Sequence, residues 1–108
     1  MVWFLVGCAA APDPCTLMCE AAADLYGGCL RDWGAGWEAA AYADEDDFLD
    51  ACGTWAWETR QLEVEAGESG ATDAACESRE ALFAAEDATC DDYTTMDWNT
   101  PPWAESPS

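Results

Sequence analysis

The chain predicts an all-α fold, a small disulfide-stapled three-helix bundle with an irregular C-terminal tail. Three observations carry that expectation. Apolar residues recur at three- and four-residue spacing in three separate stretches, and no stretch alternates as a half-buried strand does. Six cysteines, Cys15, Cys19, Cys29, Cys52, Cys76 and Cys90, fall on the apolar sides of those stretches. The region able to fold, residues 13–93, is about 80 residues long, a size at which the core is small and staples are commonly needed.

The first helix starts at Asp13-Pro14, with Asp as N-cap and Pro in the first helical position. Cys15, Met18, Cys19, Ala22, Tyr26, Cys29 and Trp33 form its inner stripe, and Gly34 and Gly36 end it. Gly27-Gly28 is its weak point, since each Gly costs about 1 kcal/mol relative to Ala in a helix. Residues 35–43 read as a linker from which Trp37 packs back on Trp33. The second helix opens on Asp44-Glu45-Asp46-Asp47, negative charge that suits a helix N-terminus. Phe48, Cys52, Trp55, Thr59 and Leu62 should face inward, flanked by Leu49 and Ala56. Trp57 falls on the opposite side, exposed and stacked against Arg60.

A turn-rich loop spans residues 65–70. The third helix is expected from Thr72 as N-cap, with Cys76, Arg79, Leu82, Phe83, Glu86 and Cys90 on its inner side. Residues 94–108 contain Pro101, Pro102 and Pro107 and read as an irregular, partly disordered tail. Tyr93, just before this tail, and Trp98 within it are the residues able to dock on the bundle.

Inner-face placement of all six cysteines is what interhelical disulfides require, because bridged Cα atoms lie within about 7 Å. Sequence alone allows 15 pairings of six cysteines, a count of roughly that order for any such chain. In an antiparallel hairpin Cys29 and Cys52 come level, so Cys29–Cys52 is the favoured pair. Cys15 and Cys19 are then left for Cys76 and Cys90 in either order. The fit is imperfect: a continuous helix separates Cys76 from Cys90 by about 20 Å and Cys15 from Cys19 by about 6 Å. Helix 3 must therefore end early or the tail must fold back. Metal ligation is disfavoured: the cysteines beyond Cys15 and Cys19 are singly placed and the chain has no His.

A seventh cysteine, Cys8, follows the apolar opening Met-Val-Trp-Phe-Leu-Val-Gly. That run cannot span a bilayer, which takes about 20 apolar residues. Leu5-Val6-Gly7-Cys8 resembles the lipobox of bacterial lipoproteins at all four positions. The resemblance implies that residues 1–7 are the remnant of a cleaved signal peptide, that Cys8 is the lipid-attachment residue, and that residues 8–12 are a short tether. No Lys or Arg precedes the run, so the translation start is expected upstream of Met1. Ala9 after the cysteine implies the outer membrane of a bacterial envelope. With its cysteine count, the chain is similar to the small cysteine-rich lipoproteins of GC-rich bacteria, most without an assigned activity. An ordinary secretory signal with Cys8 unpaired is the alternative, and a cytoplasmic protein with reduced thiols is the third possibility.

Twenty-three acidic and three basic residues (Arg31, Arg60 and Arg79) give a net charge of −20, with no Lys. Nucleic acid is excluded as a partner, since nothing neutralises phosphates, and anionic headgroups are excluded for the same reason. Without His or Lys, the Ser-His, Cys-His and Lys-based nucleophiles cannot form. No CXXC or glycine-rich phosphate loop occurs, and Cys19-x9-Cys29 lacks the matching partner spacing of the twin CX9C hairpins. Asp44 to Asp47 with Asp50 fails the EF-hand pattern. No catalytic residue, metal or cofactor is expected. Six tryptophans follow Cys8; Trp33 and Trp55 suit the core, whereas Trp57 and Trp103 lie off the helical pattern as contact candidates for a basic protein or a carbohydrate. The expected role is a non-enzymatic envelope interaction or structural module.

Overall fold

A computed structural model describes residues 12–105. Those residues are all helical in architecture, with no strand among them, and four α-helices: α1 (Pro14–Asp32), α2 (Glu45–Ala66), α3 (Ala71–Ala84) and a short α4 (Cys90–Thr94). Short 3-10 turns cover Trp37–Ala40 and Pro102–Glu105.

α1 begins as its sequence dictates. The Asp13 carboxylate accepts the Thr16 N–H at 2.9 Å, and Pro14 occupies the first turn, where its missing N–H costs nothing. Its buried face holds Cys15, Met18, Cys19, Ala22, Ala23, Cys29 and Leu30. Two adjacent alanines at the centre let a neighbour approach closely, and α1 packs most extensively against α3, then α2. The helix closes with Gly34 in the left-handed region at φ 73°. Trp33 is therefore the C-cap, one residue past the helix, and is 56% exposed; the periodic stripe ran one position too far when it placed this side chain in the core.

Gly27 is not simply a weak point. A Cβ there would stand 3.1 Å from Trp37 Cζ2, so the glycine leaves room for the indole to lie against α1. Trp37 packs on Tyr26 and Phe48 (ring centroids 5.8 and 4.9 Å) rather than on Trp33. The 3-10 turn directs it there, and Ala41 exits that turn at φ 73° before Tyr42.

α2 is capped by Asp44, which accepts the Asp47 N–H at 2.9 Å, and it ends on Gly67 at φ 71°. Phe48, Ala56 and Thr59 are buried, and Cys52 and Trp55 are half-buried. Leu62 is 46% exposed, because it lies in the penultimate turn beside Pro101 and Trp55 at the rim of the bundle.

α3 departs most from expectation. Its N-cap is Gly70, which offers no side chain, and Thr72 is fully buried inside the helix. The missing cap comes from α2: Glu63 accepts the Thr72 N–H at 2.8 Å with one carboxylate oxygen and the Gly70 N–H at 3.1 Å with the other. α3 stops at Ala84. Ala85 is extended, and helix resumes at Cys90 through a capping box in which the Thr89 N–H donates to Asp92 at 2.8 Å. This break turns the chain back toward α1 and removes the rise mismatch of an unbroken helix. The tail is not wholly irregular: Met96 and Trp98 pack on the core beside Tyr93 of α4.

Candidate functional site

The six cysteines of the described region form three bridges: Cys15–Cys76, Cys19–Cys52 and Cys29–Cys90. Their Cα separations, 4.9, 5.9 and 6.0 Å, sit within the usual disulfide range. The favoured Cys29–Cys52 pair is overturned. Level alignment in a hairpin puts Cys52 opposite Cys19 because residues 33–44 form a folded connection, and Cys29 is left for Cys90 once α3 breaks. Each bridge starts on α1, so this helix is tied to α3, α2 and α4 in turn. Cys15 and Cys76 are 1% and 0% exposed, which makes their sulfurs part of the core alongside Met18 and Phe83.

Beside that core lies a continuous aromatic cluster. Tyr26 stacks on Tyr93 at 4.6 Å, Phe48 meets Tyr42 edge-on at 5.2 Å, and Tyr93 touches Trp98 at 5.7 Å. Trp55 stands perpendicular to Trp98 at 5.1 Å, and its indole N–H donates to the Trp98 carbonyl at 2.8 Å. The buried Arg79 guanidinium lies 5.0 Å over Trp98 and 5.5 Å over Trp55, a cation held between two ring faces. Burial pushes the Tyr93 phenol well above its ordinary value, and the neighbouring Tyr42 and Tyr26 hydroxyls add to the shift. Tyr93 therefore stays neutral at every physiological pH.

The other arginine contacts are peripheral. Arg60 bridges Asp13 at 2.6 Å and Asp73 at 2.8 Å, joining the starts of α1 and α3 across α2. It turns toward these carboxylates and not toward Trp57. Burial would raise the Asp13 pKa, but the Thr16 N–H and the Arg60 charge outweigh it and hold the carboxyl below its ordinary value. A cleft of about 190 Å³ lies next to this pair, lined by Cys15, Cys19, Leu49 and Ala56 with Asp13, Glu20 and Arg60 at its edge. A broader groove between α1 and the end of α3 has Leu17, Leu25 and Phe83 at its base and Glu20, Asp24, Glu80 and Glu86 along it.

Of the contact candidates, Trp57 is 62% exposed on α2. Trp103 is half-buried in the terminal 3-10 turn. Cys8, the proposed lipid-attachment residue, lies outside the described residues, as do residues 1–7 and most of the tether. No described helix is long and apolar enough to cross a membrane. Among the described residues no group of three or more Cys, Asp or Glu side chains is arranged to hold a metal ion. The ring cluster was only partly visible in sequence: Tyr42, Tyr93 and Trp98 belong to no helical stripe; the connection before α2 brings Tyr42 to Phe48, α4 brings Tyr93 there, and Trp98 follows on Tyr93. No family model, no curated protein and no solved structure matches this chain.

Proposed function

We propose that the protein is a lipid-anchored component of a bacterial cell envelope whose helical domain acts as a non-enzymatic interaction module. One observation carries this reading. Three bridges use every cysteine of the described helices, so Cys8 is the seventh, surplus cysteine, and it stands in the lipobox-like Leu5-Val6-Gly7-Cys8. Disulfides of this density belong to oxidising compartments outside the cytoplasm. A domain of net charge −20 is repelled by anionic headgroups, so it needs acyl chains to stay at a membrane. Ala9 after the cysteine favours the outer membrane. Palmitate labelling tests the anchor: the label should enter the native chain and be lost in Cys8→Ser. Equal labelling of both, or none of either, would contradict it.

The exposed Trp57 favours a second reading, a secreted soluble protein that meets a basic protein or a carbohydrate through that ring, with Trp103 less accessible. Release of the unlabelled chain into the medium, with the signal removed at a site other than Cys8, would select it.

A further inference from the structure

The aromatic cluster opens into a pocket of about 150 Å³ lined by Tyr42, Phe48, Ala51, Cys52, Tyr93 and Trp98. Four of the six lining residues are aromatic, and none is charged. Successive rings turn against one another, Tyr42 to Phe48 at 85°, Phe48 to Tyr93 at 60° and Tyr93 to Trp98 at 42°. They make a concave wall rather than a flat stack. A pocket walled by Leu or Ile attracts any apolar group of the right size. A pocket walled by rings adds the negative potential of their faces and so favours a cation. The chain's own charge of −20 acts in the same direction. Arg79 does not line this pocket; it lies over Trp98, one of the four lining rings, and over Trp55, which is outside the pocket.

The kind of cation follows from the pocket's size and polarity. Its volume is that of a cavity able to take one benzene-sized group (~150 Å³) and is well below the ~300 Å³ where sites for drug-sized ligands begin. A single headgroup-sized group fits. The walls offer rings, a methyl and a disulfide sulfur, with the two tyrosine hydroxyls as the only side-chain oxygens. A primary ammonium brings three N–H donors, and the two tyrosine hydroxyls are the only side-chain oxygens in the lining to accept them. A quaternary ammonium has no N–H to satisfy and spreads its charge over methyl groups that pack on ring faces.

We propose that this pocket binds a quaternary ammonium group of the trimethylammonium type, as carried by choline. The site does not depend on lipidation of Cys8, so the Cys8→Ser chain serves as the test protein, and failure here leaves the anchor reading untouched. Choline is titrated into the oxidised full chain and followed by the indole N–H resonances of the tryptophans. Saturable shifts at Trp98 are expected. Ammonium, of equal charge, and 3,3-dimethylbutan-1-ol, the uncharged isostere, should each bind about tenfold or more weakly, the scale of a partly desolvated cation–π contact. Tyr42→Leu, at the edge of the pocket, should weaken choline by a similar factor, and Trp57→Ala should leave it unchanged.

Equal response to ammonium would reduce the effect to general attraction by an acidic chain. Equal response to the alcohol would reduce it to an apolar pocket. Either result, or the absence of saturation, overturns the proposal. Co-sedimentation with vesicles separates the sources of the ligand. Binding to phosphatidylcholine but not phosphatidylglycerol vesicles assigns a lipid headgroup, and binding of free choline alone assigns a small solute; both support the site.

Discussion

Removing the Cys29–Cys90 bridge by the double substitution Cys29→Ala/Cys90→Ala tests how the staples work together. In isolation this bridge closes a loop of sequence separation 61, for which the chain-entropy relation gives about 4.3 kcal/mol at 25 °C. Cys15–Cys76 already shortens the path. Fourteen steps along α1 join Cys15 to Cys29, and fourteen join Cys76 to Cys90, so the second bridge closes a circuit of about 28 residues and contributes about 3.6 kcal/mol. For a domain of this length the loss should lower the melting temperature by roughly 15–25 °C. The assay is thermal unfolding of both oxidised proteins followed by tryptophan fluorescence. Trp98 should report first, because the bridge anchors the segment that carries it. The double variant Cys15→Ala/Cys76→Ala opens the same circuit, so any excess loss there measures the packing of two side chains from residues only 1% and 0% exposed. A loss below about 1 kcal/mol for Cys29→Ala/Cys90→Ala would refute the reasoning, since α4 would then be held by ring packing alone.

Further outcomes follow from the helix interiors and caps. Gly53 lies in α2 with open space beside it, and Gly53→Ala should add about 0.5–1 kcal/mol; Gly27→Ala, crowded by Trp37 at 3.1 Å, should add nothing or destabilise. Glu63 caps α3 as a carboxylate, and the Thr72 hydrogen bonds hold its pKa below the ordinary 4.5. Its contribution is therefore complete above that value and is lost as pH falls through the lowered one. Glu63→Gln should cost roughly 0.5–1 kcal/mol at pH 7 and nothing at pH 2, a difference that cancels the relief of self-repulsion common to both proteins.

Sequence reasoning found the helices and missed the joints. Periodicity placed Cys15, Met18, Cys19, Phe48, Thr59, Cys76, Arg79 and Phe83 on inner faces, and all are buried. It failed where a local signal competed with a stripe. Cys90 continued the α3 pattern by spacing, yet Thr89-x-x-Asp92 is a capping box that starts a new helix, and the pairing of Cys29 turned on that restart. Trp33 continued the α1 pattern although Gly34 had already closed the helix. The Glu63 cap was out of reach because it crosses from one helix to another. The aromatic pocket was hidden for a related reason: Tyr42 and Trp98 sit in connections, where no period predicts direction.

The most direct test of the envelope-lipoprotein account is the intact mass of the chain recovered from bacterial membranes and alkylated without reductant. A mature protein beginning at a diacylglyceryl-modified Cys8, with no alkyl group on any of the other six cysteines, is the predicted result. A chain that retains residues before Cys8, or that takes up alkyl groups at the six, would contradict it.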